Sequence, residues 1–586
     1  MEAESVAEVG GTSKPELNPS LERTLLLAIF CLAILIRLFA LRADNYLRLD
    51  WSAALLTDEG FYAHNARNVA LFGTARTDGF NNMLVSPILH GIQVLAFWVI
   101  GPGMLQARLI SVVSSLVGLG AFWLALRKAF GSKIALTGVM FLALDHVNAL
   151  YSRMALMDTP AAALACITLL LFVMVSERSE DDQKKSVRLL GLAGLVLGLT
   201  MVTRNLAIYL IVAPLAGMFV KGDWRRQIPW IAGWAGVMLC YALFWYMPNS
   251  AELGSMNHYY RVNQVQPHSV RHLLENIQHA FFGDFRGITP YLFRHSPMLL
   301  IFAFVGLGAK YNEASTAVRT KRFLAAWLLA GWAMLSVISY SPSRYYVTLY
   351  PSLCALAAAG LWNLPKLFRR VRRMVLPYAA VHYFGRHPWQ VPPVIFRLWL
   401  GVRLRWIILL GGVLGFHAAL AICHYGGSFA FWCLMLGSVS GAILLPLAAR
   451  QIPAKRAKFV PAACLGIWML VNLCWTGDWL MHLSFTQAEF SQELAKALPN
   501  GSVLIGDVAP GITMENDFKA IHVQPGLVND NMPVETFAGE PRYIAILDGR
   551  WKEKWWVEHY PELVKPERRM ILKRVLKWDI GIYQVN

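Results

Sequence analysis

Charged side chains are scarce in this chain. Only 15% of its 586 residues are charged, with 36 acidic residues against 54 Lys and Arg, whereas 56% are hydrophobic. A soluble chain of this length would need far more charge on its surface. Apolar runs of about 18 to 22 residues recur along most of the chain, and this is the length that crosses a hydrocarbon core. The composition therefore excludes an ordinary soluble enzyme and predicts a polytopic α-helical membrane protein.

Signals of several other protein classes are also missing. No cleavable signal peptide and no internal repeat of the inverted-repeat transporter type is evident. The net charge of +18 comes from short basic clusters between apolar runs rather than from a basic domain, which argues against nucleic-acid binding. The cysteines have neither the spacing of a zinc site nor the setting of a disulfide framework. All eight lie inside or at the edge of apolar runs: Cys31, Cys166, Cys240, Cys354, Cys423, Cys433, Cys464 and Cys474.

The apolar runs predict about thirteen membrane-spanning helices. They cover residues 25–41, 106–126, 134–150, 159–176, 189–203, 206–220, 228–247, 297–308, 323–340, 345–362, 406–423, 429–447 and 460–480. Residues 1–20 are polar and are expected to be a disordered cytoplasmic N-terminus. The transmembrane domain then occupies residues 21–483, with two long external loops at 42–105 and 248–295.

Loop charges orient these helices. Basic clusters such as "RKAFGSK" at 127–133 and "RRVRR" at 369–373 share one side, whereas loops on the other side hold little more than Arg153, Arg204 and Arg344. This asymmetry follows the positive-inside rule, so the side with the clusters is expected to be cytoplasmic. The asymmetry requires that the apolar run 84–100 does not cross the membrane. That run is therefore predicted to be an interfacial or re-entrant helix that begins at Pro87.

Residues 484–586 form a separate, soluble domain on the external side. "SVLIGDVAPG" at 502–511 predicts a buried strand followed by a turn, and "YIAILDGR" and "GIYQVN" predict further strands. "ELAKAL" and "KWWVEHYPEL" predict helices. About a hundred residues can hold a small α/β core.

Two adjacent carboxylates, Asp58 and Glu59, follow the first apolar run in "LLTDEGFYAHNARN". In one interpretation they lie in the first turn of a membrane-surface helix capped by Thr57, where the helix dipole favours acidic residues. In the other, one of them is a general base that takes a proton from an acceptor hydroxyl. Neighbours on a helix diverge by about 100 degrees, so the two acids would not act on the same atom. One would be the base and the other would orient a neighbouring group.

A second external loop, "YSRMALMDTPAAA", contains Arg153 and Asp158. Asp158 precedes Thr159 and Pro160, which is an ordinary beginning for a helix. The alternative is a functional carboxylate. Arg153 is suited to an anionic headgroup or to a preset ion pair at the membrane boundary.

A third candidate is the pair Arg344 and Tyr345, which opens an apolar run in "SPSRYYVTLYP". Arg344 allows two interpretations. It extends to the membrane interface beside an aromatic belt formed by tyrosines, or it contacts a phosphate. Arg204, in the turn "TRN", allows the same two interpretations. The long external loop also carries His258, His268, His272 and His279, and for the last three an amphipathic solvated helix is favoured over a metal site.

The order of these motifs resembles that of the polyprenyl-phosphate-dependent glycosyltransferases of the GT-C type. The similarity is greatest to the branch of lipid A aminoarabinose transferases and protein O-mannosyltransferases. It is carried by the external "DE", the interfacial helix opening "PILH", the basic loop "RKAFGSK", the "R…D" loop and the "RYxxxxYP" span, with a soluble tail last. It covers roughly residues 25–360 well and the rest by architecture only.

This resemblance implies roles for the candidate residues. Asp58 takes the place of the catalytic acid, with Glu59 as its companion, and Asp158 takes the acidic position of the second external loop. Arg344 and Tyr345 match the pair near the lipid phosphate. One departure is the segment "NNMLVSP" at 81–87, which lacks the acid and the lysine usual in the aminoarabinose branch. A metal ligand there and lipid A as acceptor are therefore not supported.

These patterns together predict an integral-membrane glycosyltransferase of the inner cell membrane, with its active site on the periplasmic or extracytoplasmic side. Its donor would be a polyprenyl-phosphate-linked sugar and its acceptor a lipid, glycan or protein. Asp58 and Asp158 are the predicted catalytic residues, and Glu59, Arg153, Arg204, Arg344 and Tyr345 the predicted substrate-binding residues. A divalent metal cofactor is left open, with no metal ligands assigned. The main alternative is a lipid or glycan transporter, which would place ionisable residues near the membrane midplane, as Asp145 and His146 partly do.

Overall fold

The protein is described by a computed structural model over residues 16–79, 81–177, 183–218, 227–283, 287–311, 315–375, 459–536, 541–549 and 551–585. Helices dominate these residues, and a five-stranded sheet lies near the C-terminus. The predicted spans 406–423 and 429–447, and most of the predicted N-terminal segment 1–20, lie outside the described residues.

The helices of the apolar part of the chain form one body, called here the helical body. They are α1 (Pro19–Leu38), α2 (Ala54–Phe72), α3 (Pro87–Ile100), α4 (Met104–Phe130), α5 (Ser132–Leu144), α6 (His146–Tyr151), α7 (Asp158–Ser176), α8 (Gln183–Thr203), α9 (Val212–Met218), α10 (Ile228–Tyr241), α11 (Ser250–Tyr260), α12 (Val270–Phe282), α13 (Ile288–His295), α14 (Pro297–Leu307), α15 (Thr316–Val337), α16 (Tyr350–Val375) and α17 (Val460–Met481).

Several of these helices are long and apolar enough to cross a membrane. Six such segments lie among the described residues, and the bent pair α13 and α14 would make a seventh. The six are Met104–Phe130, Asp158–Ser176, Gln183–Thr203, Ile228–Tyr246, Ser343–Lys366 and Val460–Ala497. The chain is therefore a multi-pass membrane protein, as expected, but the predicted number of thirteen spans is not confirmed.

The predicted span 134–150 is interrupted in the structure. Residues 134–150 were expected to be one helix, but α5 ends at Leu144 and α6 begins at His146. The Asp145 side chain accepts hydrogen bonds from the backbone N–H groups of Val147 and Asn148, at 3.1 and 3.4 Å, and so caps α6. The predicted span 297–308 corresponds to α14, which is bent by 112° from α13.

Small residues set the closest helix contacts in this body. A Cβ atom added to Gly360 on α16 would lie 1.8 Å from the carbonyl oxygen of Phe302 on α14. Likewise, a Cβ atom on Gly194 of α8 would lie 1.8 Å from the carbonyl oxygen of Trp230 on α10. Only glycine allows these backbones to approach so closely, which is the usual means of packing helices in a membrane.

Helices α2 and α3 lie together at one end of the helical body. α3 begins at Pro87, as predicted, because proline is favoured in the first helical turn. With 14 residues it is too short to cross a hydrocarbon core. Its C-terminal half exposes Trp98 and Val99, which is consistent with the predicted position at a membrane surface.

The C-terminal domain, residues 484–585, contains its own sheet. Its strands are β1 (Val503–Ile505), β2 (Lys519–Ile521), β3 (Arg542–Leu547), β4 (Arg569–Val575) and β5 (Trp578–Gln584), in the order β2-β1-β3-β5-β4. β1 is parallel to its neighbours β2 and β3, and β5 is antiparallel to its neighbours β3 and β4. The helices are α18 (Thr486–Ala497), α19 (Ala509–Ile512), α20 (Pro533–Thr536) and α21 (Trp551–His559). The expected small α/β domain is confirmed, although the sequence predicted neither β2 nor β4.

This domain is docked tightly on the helical body. A Cβ atom on Gly60 of α2 would lie 2.4 Å from the Cα and N atoms of Gly511 in α19, so the two backbones are in direct contact. Arg67 of α2 donates to the carbonyl oxygens of Asn516 and Phe518 at 2.6 and 2.9 Å. α2 therefore touches the C-terminal domain along much of its length.

The opposite end of the helical body carries basic residues. Arg127 and Lys128 at the end of α4 pair with Glu22 of α1 at 2.5 Å and with Glu177 after α7 at 2.9 Å. These pairs lie at the start of α1 and the end of α7, whereas the C-terminal domain contacts the chain beyond the end of α1. The structure thus separates a basic end from the end that carries the domain.

Candidate active site

A cavity of about 930 Å³ lies between the helical body and the C-terminal domain, and we call it the interface cavity. Its floor is formed by Asp58 of α2, Arg204 after α8, and Arg344 and Tyr345 before α16. Its roof is formed by residues of the C-terminal domain, among them Asp507 and His522. Four of the predicted site residues are therefore brought to one surface from three distant parts of the chain.

Asp58 and Arg344 form an ion pair on the cavity floor. The distance from Asp58 Oδ2 to Arg344 Nη1 is 2.6 Å, and the two side chains are only 14% and 7% exposed. Burial raises the pKa of the Asp58 carboxyl above its ordinary value, and the positive charge of Arg344 opposes that shift. A carboxylate with such a pKa can accept a proton more readily than a solvated aspartate can.

A second ion pair stands beside the first. Arg204 Nε lies 2.9 Å from Asp158 Oδ1, and both side chains are almost fully buried. Asp158 itself is not among the residues that line the cavity, so it contacts the cavity through Arg204. Burial and the charge of Asp158 act in opposite directions on Arg204, and its pKa is raised because the carboxylate prevails.

Tyr345 connects the two arginines. The Cζ atom of Arg204 lies 4.5 Å from the centre of its ring, and that of Arg344 lies 5.1 Å from it. Cations are attracted to the face of an aromatic ring at these distances. Two guanidinium groups are thereby held close together at the cavity surface. Because each carries planar N–H donors suited to phosphate oxygens, this arrangement favours an anionic ligand.

Glu59 does not line the cavity. Its carboxylate accepts two hydrogen bonds from Arg108 of α4 at 2.8 and 2.6 Å. It also accepts from Asn45 Nδ2 at 2.6 Å and from the backbone N–H of Ala155 at 2.7 Å. These partners lower the pKa of the buried Glu59 and use its oxygens fully. Glu59 thus fixes α2 against α4 and the Arg153–Asp158 loop in this structure, and its predicted substrate-binding role stays a prediction.

Arg153 is also placed elsewhere. It donates to the carbonyl oxygens of Phe39 and Ala40, at 2.6 and 2.8 Å, at the C-terminal end of α1. Its guanidinium lies 4.5 Å from the ring centre of Trp479 on α17. A cation at a helix C-terminus satisfies carbonyl groups that have no partner within the helix. Arg153 thus caps α1 and is not brought to the interface cavity.

Asp50 is a buried carboxylate near Asp58 that the sequence interpretation missed. It is buried just before α2, and its carboxylate accepts from the backbone N–H of Ser52 at 3.0 Å and from Tyr151 Oη at 3.2 Å. Burial raises its pKa, and its charge contributes to raising that of Asp58. The available signal was its position in the same external loop, eight residues before Asp58.

The roof residues were missed as well. Asp507 follows β1, His522 follows β2, and Leu547 ends β3, and all three line the cavity. The carboxyl ends of the three parallel strands therefore meet above the floor, and ligands of open α/β sheets bind at such ends. The sequence carried a signal only for Asp507, which ends "LIGD" directly after a predicted strand.

His268, His272 and His279 do not lie on one face of a helix in the structure. Ser269 caps α12 by accepting from the backbone N–H of His272, and His268 lies before that helix, so the three histidines do not share one helical face. Among the residues described by the structure, no three His, Cys, Asp or Glu side chains form a potential metal-binding group.

The sequence profile of the dolichyl-phosphate-mannose-protein mannosyltransferase family matches residues 85–247. This segment includes Arg153, Asp158 and Arg204 but neither Asp58 nor Arg344. No curated protein sequence matches the chain.

Solved structures with the same fold include ArnT from Cupriavidus metallidurans. The form bound to undecaprenyl phosphate is 16% identical, with a TM-score of 0.52, and the alignment covers 96% of this chain and 97% of that one. The apo form is also 16% identical, with a TM-score of 0.53 and coverage of 96% and 98%. At this identity the match shows the fold alone. The predicted GT-C-like fold agrees with the ArnT structures, and the predicted enzyme class agrees with the profile match over residues 85–247.

Proposed function

We propose that this protein transfers a sugar from a polyprenyl-phosphate donor to an acceptor on the extracytoplasmic side of the cell membrane. The observation that carries the proposal is the floor of the interface cavity, where Asp58 faces two arginines held against one tyrosine ring. A base beside an anion-binding pair is what this reaction requires. The family match over residues 85–247 and the ArnT fold support the same class of reaction.

The donor phosphate would bind to Arg344 and Arg204. A sugar on a lipid phosphate already has a good leaving group, so no acid is needed to protonate it. The arginines would instead stabilise the charge that develops on the phosphate as the bond between the sugar and the phosphate oxygen breaks. The polyprenyl phosphate leaves with the electron pair of that bond.

Asp58 would act as the general base. The acceptor oxygen attacks the anomeric carbon, and its proton moves to the Asp58 carboxylate. A single displacement of this kind inverts the configuration at the anomeric carbon, by analogy with inverting glycoside chemistry. When the donor phosphate pairs with Arg344, the cation that opposes protonation of Asp58 is neutralised. Donor binding should therefore make Asp58 a stronger base at the moment when it is needed.

The charges at the two ends of the helical body support an extracytoplasmic site. Arg127 and Lys128 lie at the end opposite the C-terminal domain, and the positive-inside rule places such residues in the cytoplasm. The interface cavity, Asp58 and the domain then face outward. The donor would then react on the extracytoplasmic face of the cell's inner or single membrane.

The Asp58→Asn variant tests this mechanism. It removes the base but keeps the size of the side chain, so we expect transfer to fall at least about 100-fold while folding and binding of undecaprenyl phosphate are retained. The measurement is mass spectrometry of envelope lipids and glycans from cells with the wild-type protein, the variant or neither. Asp579→Asn, an exposed substitution on β5, is the matched control. Near-normal transfer by Asp58→Asn would refute the role of Asp58, and no change in any glycan on loss of the whole protein would favour a transporter.

A further inference from the structure

The roof of the interface cavity is fixed with respect to the catalytic helix α2. Gly60 is two residues after Asp58 on α2, and its backbone lies against that of Gly511. Gly511 in turn is four residues after Asp507. Gln487 Nε2 donates to the carbonyl oxygens of Leu56 and Gly511 at 3.3 and 3.2 Å and so bridges α2 and α19. The distance between Asp58 and the first roof residue is therefore set by direct backbone packing.

The second part of the roof is tied to the external loop 42–105. The backbone N–H of His522 donates to Asp78 at 2.9 Å, and the His522 ring packs edge to face on Phe61 of α2, with centres 5.0 Å apart. Gln524 Nε2 donates to Tyr259 Oη of α11 at 3.0 Å. The roof thus contacts both α2 and α11, and it closes the cavity above the floor.

Aromatic and neutral polar side chains dominate the walls. Trp51, Tyr259, Tyr260 and Tyr340 line the cavity together with the amides Asn257, Asn263 and Gln524. Aromatic rings with a polar tip cover apolar faces of a ligand while donating to its hydroxyl groups. A few polar groups among apolar walls are typical of small-ligand sites, in which the polar groups fix orientation. A ring that bears hydroxyl groups matches this lining.

The charges disfavour an anionic acceptor. On the floor, Arg204 and Arg344 are already matched by Asp158 and Asp58. Asp507 in the roof is offset by Arg261, which also lines the cavity, so the donor phosphate leaves one excess negative charge. A second phosphate or carboxylate would therefore meet net repulsion in a largely buried site, where charges interact strongly.

An extended peptide is also poorly suited to this cavity. The residues that the C-terminal domain contributes follow β1 and β2 or, for Leu547, end β3. Strand ends offer no continuous row of backbone groups, which is what a peptide uses when it adds to a sheet edge.

We infer that the acceptor is a neutral glycan, and that Asp507 and His522 hydrogen-bond its ring hydroxyls so that one hydroxyl is directed toward Asp58. This inference rests on the proposed function and assigns the roof as the acceptor-binding surface. Asp507 supplies acceptor oxygens and His522 a ring nitrogen for hydroxyl donors or acceptors. Both are positioning residues, since Asp58 receives the proton.

The test compares transfer kinetics and binding in the full-length protein in nanodiscs. The variants are Asp507→Asn and His522→Gln, with Asp579→Asn and His559→Gln, both exposed in the same domain, as matched controls. Undecaprenyl phosphate is the binding probe for the floor, and the polyprenyl-phosphate-linked sugars extracted from membranes of cells lacking the protein are the donor. The neutral glycan fraction released from envelopes of cells lacking the protein is the acceptor probe, set against lipid A and a Ser/Thr peptide. We expect the roof variants to raise the KM for the glycan at least 10-fold with undecaprenyl phosphate binding unchanged, and Asp507→Glu to restore part of the loss.

The outcomes separate the two proposals. If lipid A or the peptide is the better acceptor, or if the roof variants change kcat and undecaprenyl phosphate binding as much as the KM for the glycan, the roof assignment is wrong while the proposed function stands. If the wild-type protein binds no undecaprenyl phosphate and transfers no sugar to any of the three acceptors, the proposed function itself fails.

Discussion

Asp58 and Glu59 are adjacent in the sequence but contact different parts of the molecule. Asp58 faces the interface cavity and pairs with Arg344, whereas Glu59 points into the helical body and pairs with Arg108. The divergence of about 100 degrees between neighbouring helical positions is the cause. The two carboxylates therefore have different surroundings, as expected for neighbours on a helix, and the role of Asp58 as base is a proposal.

The Glu59→Gln substitution should destabilise the protein rather than act on catalysis. It leaves the buried guanidinium of Arg108 without a counter-ion, and breaking a buried pair typically costs about 3–5 kcal/mol. We expect a lower temperature of unfolding for the detergent-solubilised protein. Glu493→Gln is the control, since its pair with Lys573 is largely exposed and exposed pairs contribute about 0–1 kcal/mol. Equal stability of Glu59→Gln and the wild type would contradict the structural role.

Transfer should depend on pH through Asp58. The base is active only when deprotonated, and burial raises its pKa above the ordinary 3.8, so activity should be full above the raised pKa and lost as pH falls through it. Arg344→Gln removes the cation that opposes this shift. The acid limb of its residual activity, normalised to its own maximum, should therefore lie at higher pH than that of the wild type.

Arg271→Gln, which breaks an exposed pair with Glu275, is the control for this pH profile. Its acid limb should coincide with that of the wild type. An acid limb that is the same in Arg344→Gln as in the wild type would show that Asp58 is not the titrating base.

At the scale of elements, α2 has two functions. One face of this helix carries Asp58 into the cavity, and another supports the C-terminal domain through Gly60 and Arg67. The sequence indicated a membrane-surface helix here but gave no sign of the docking face. A glycine within a helix is also found where no neighbour approaches, as at Gly91 of α3, so its packing partner cannot be read from the sequence.

Gly60→Ala should separate the domain from α2. Its added Cβ would lie 2.4 Å from backbone atoms of Gly511. Backbone atoms cannot relieve such a clash by changing rotamer, so α2 or α19 must shift, at a cost of about 1–3 kcal/mol. We expect faster proteolysis at residues 482–485, between α17 and α18, and reduced transfer despite an intact Asp58. Gly91→Ala, whose Cβ would meet nothing within 4 Å, is the control. Unchanged proteolysis and transfer in Gly60→Ala would show that this contact does not position the roof.

On the scale of the whole molecule, the ends of the helical body differ in charge and in what they carry. The basic end and the end with the domain are separated by the spans, so the orientation in the membrane decides where donor and acceptor meet. The loop charges of the sequence and the ion pairs of the structure favour the same orientation, with the interface cavity outside.

Labelling of single cysteines tests this orientation. In a background in which all eight native cysteines are replaced, a membrane-impermeant maleimide should modify Ser341→Cys and Asn500→Cys in intact cells or spheroplasts. Lys184→Cys, at the opposite end, should react only after permeabilisation and is the control. Labelling of Ser341→Cys and Asn500→Cys from different sides would overturn the orientation.

The sequence by itself determined the protein class, the start of α3 at Pro87, the strands β1, β3 and β5, and the candidate residues Asp58, Asp158, Arg204, Arg344 and Tyr345. These follow from hydropathy, turn chemistry and loop charge, all of which are local properties. Only the tertiary structure decided that Glu59 and Arg153 lie outside the interface cavity, that Asp50 is buried near Asp58, and that strand ends form the roof of the cavity. Those features depend on contacts between residues hundreds of positions apart, such as Asp58 with Arg344 and Gly60 with Gly511. The local sequence pattern around a residue does not indicate which distant residue will contact it.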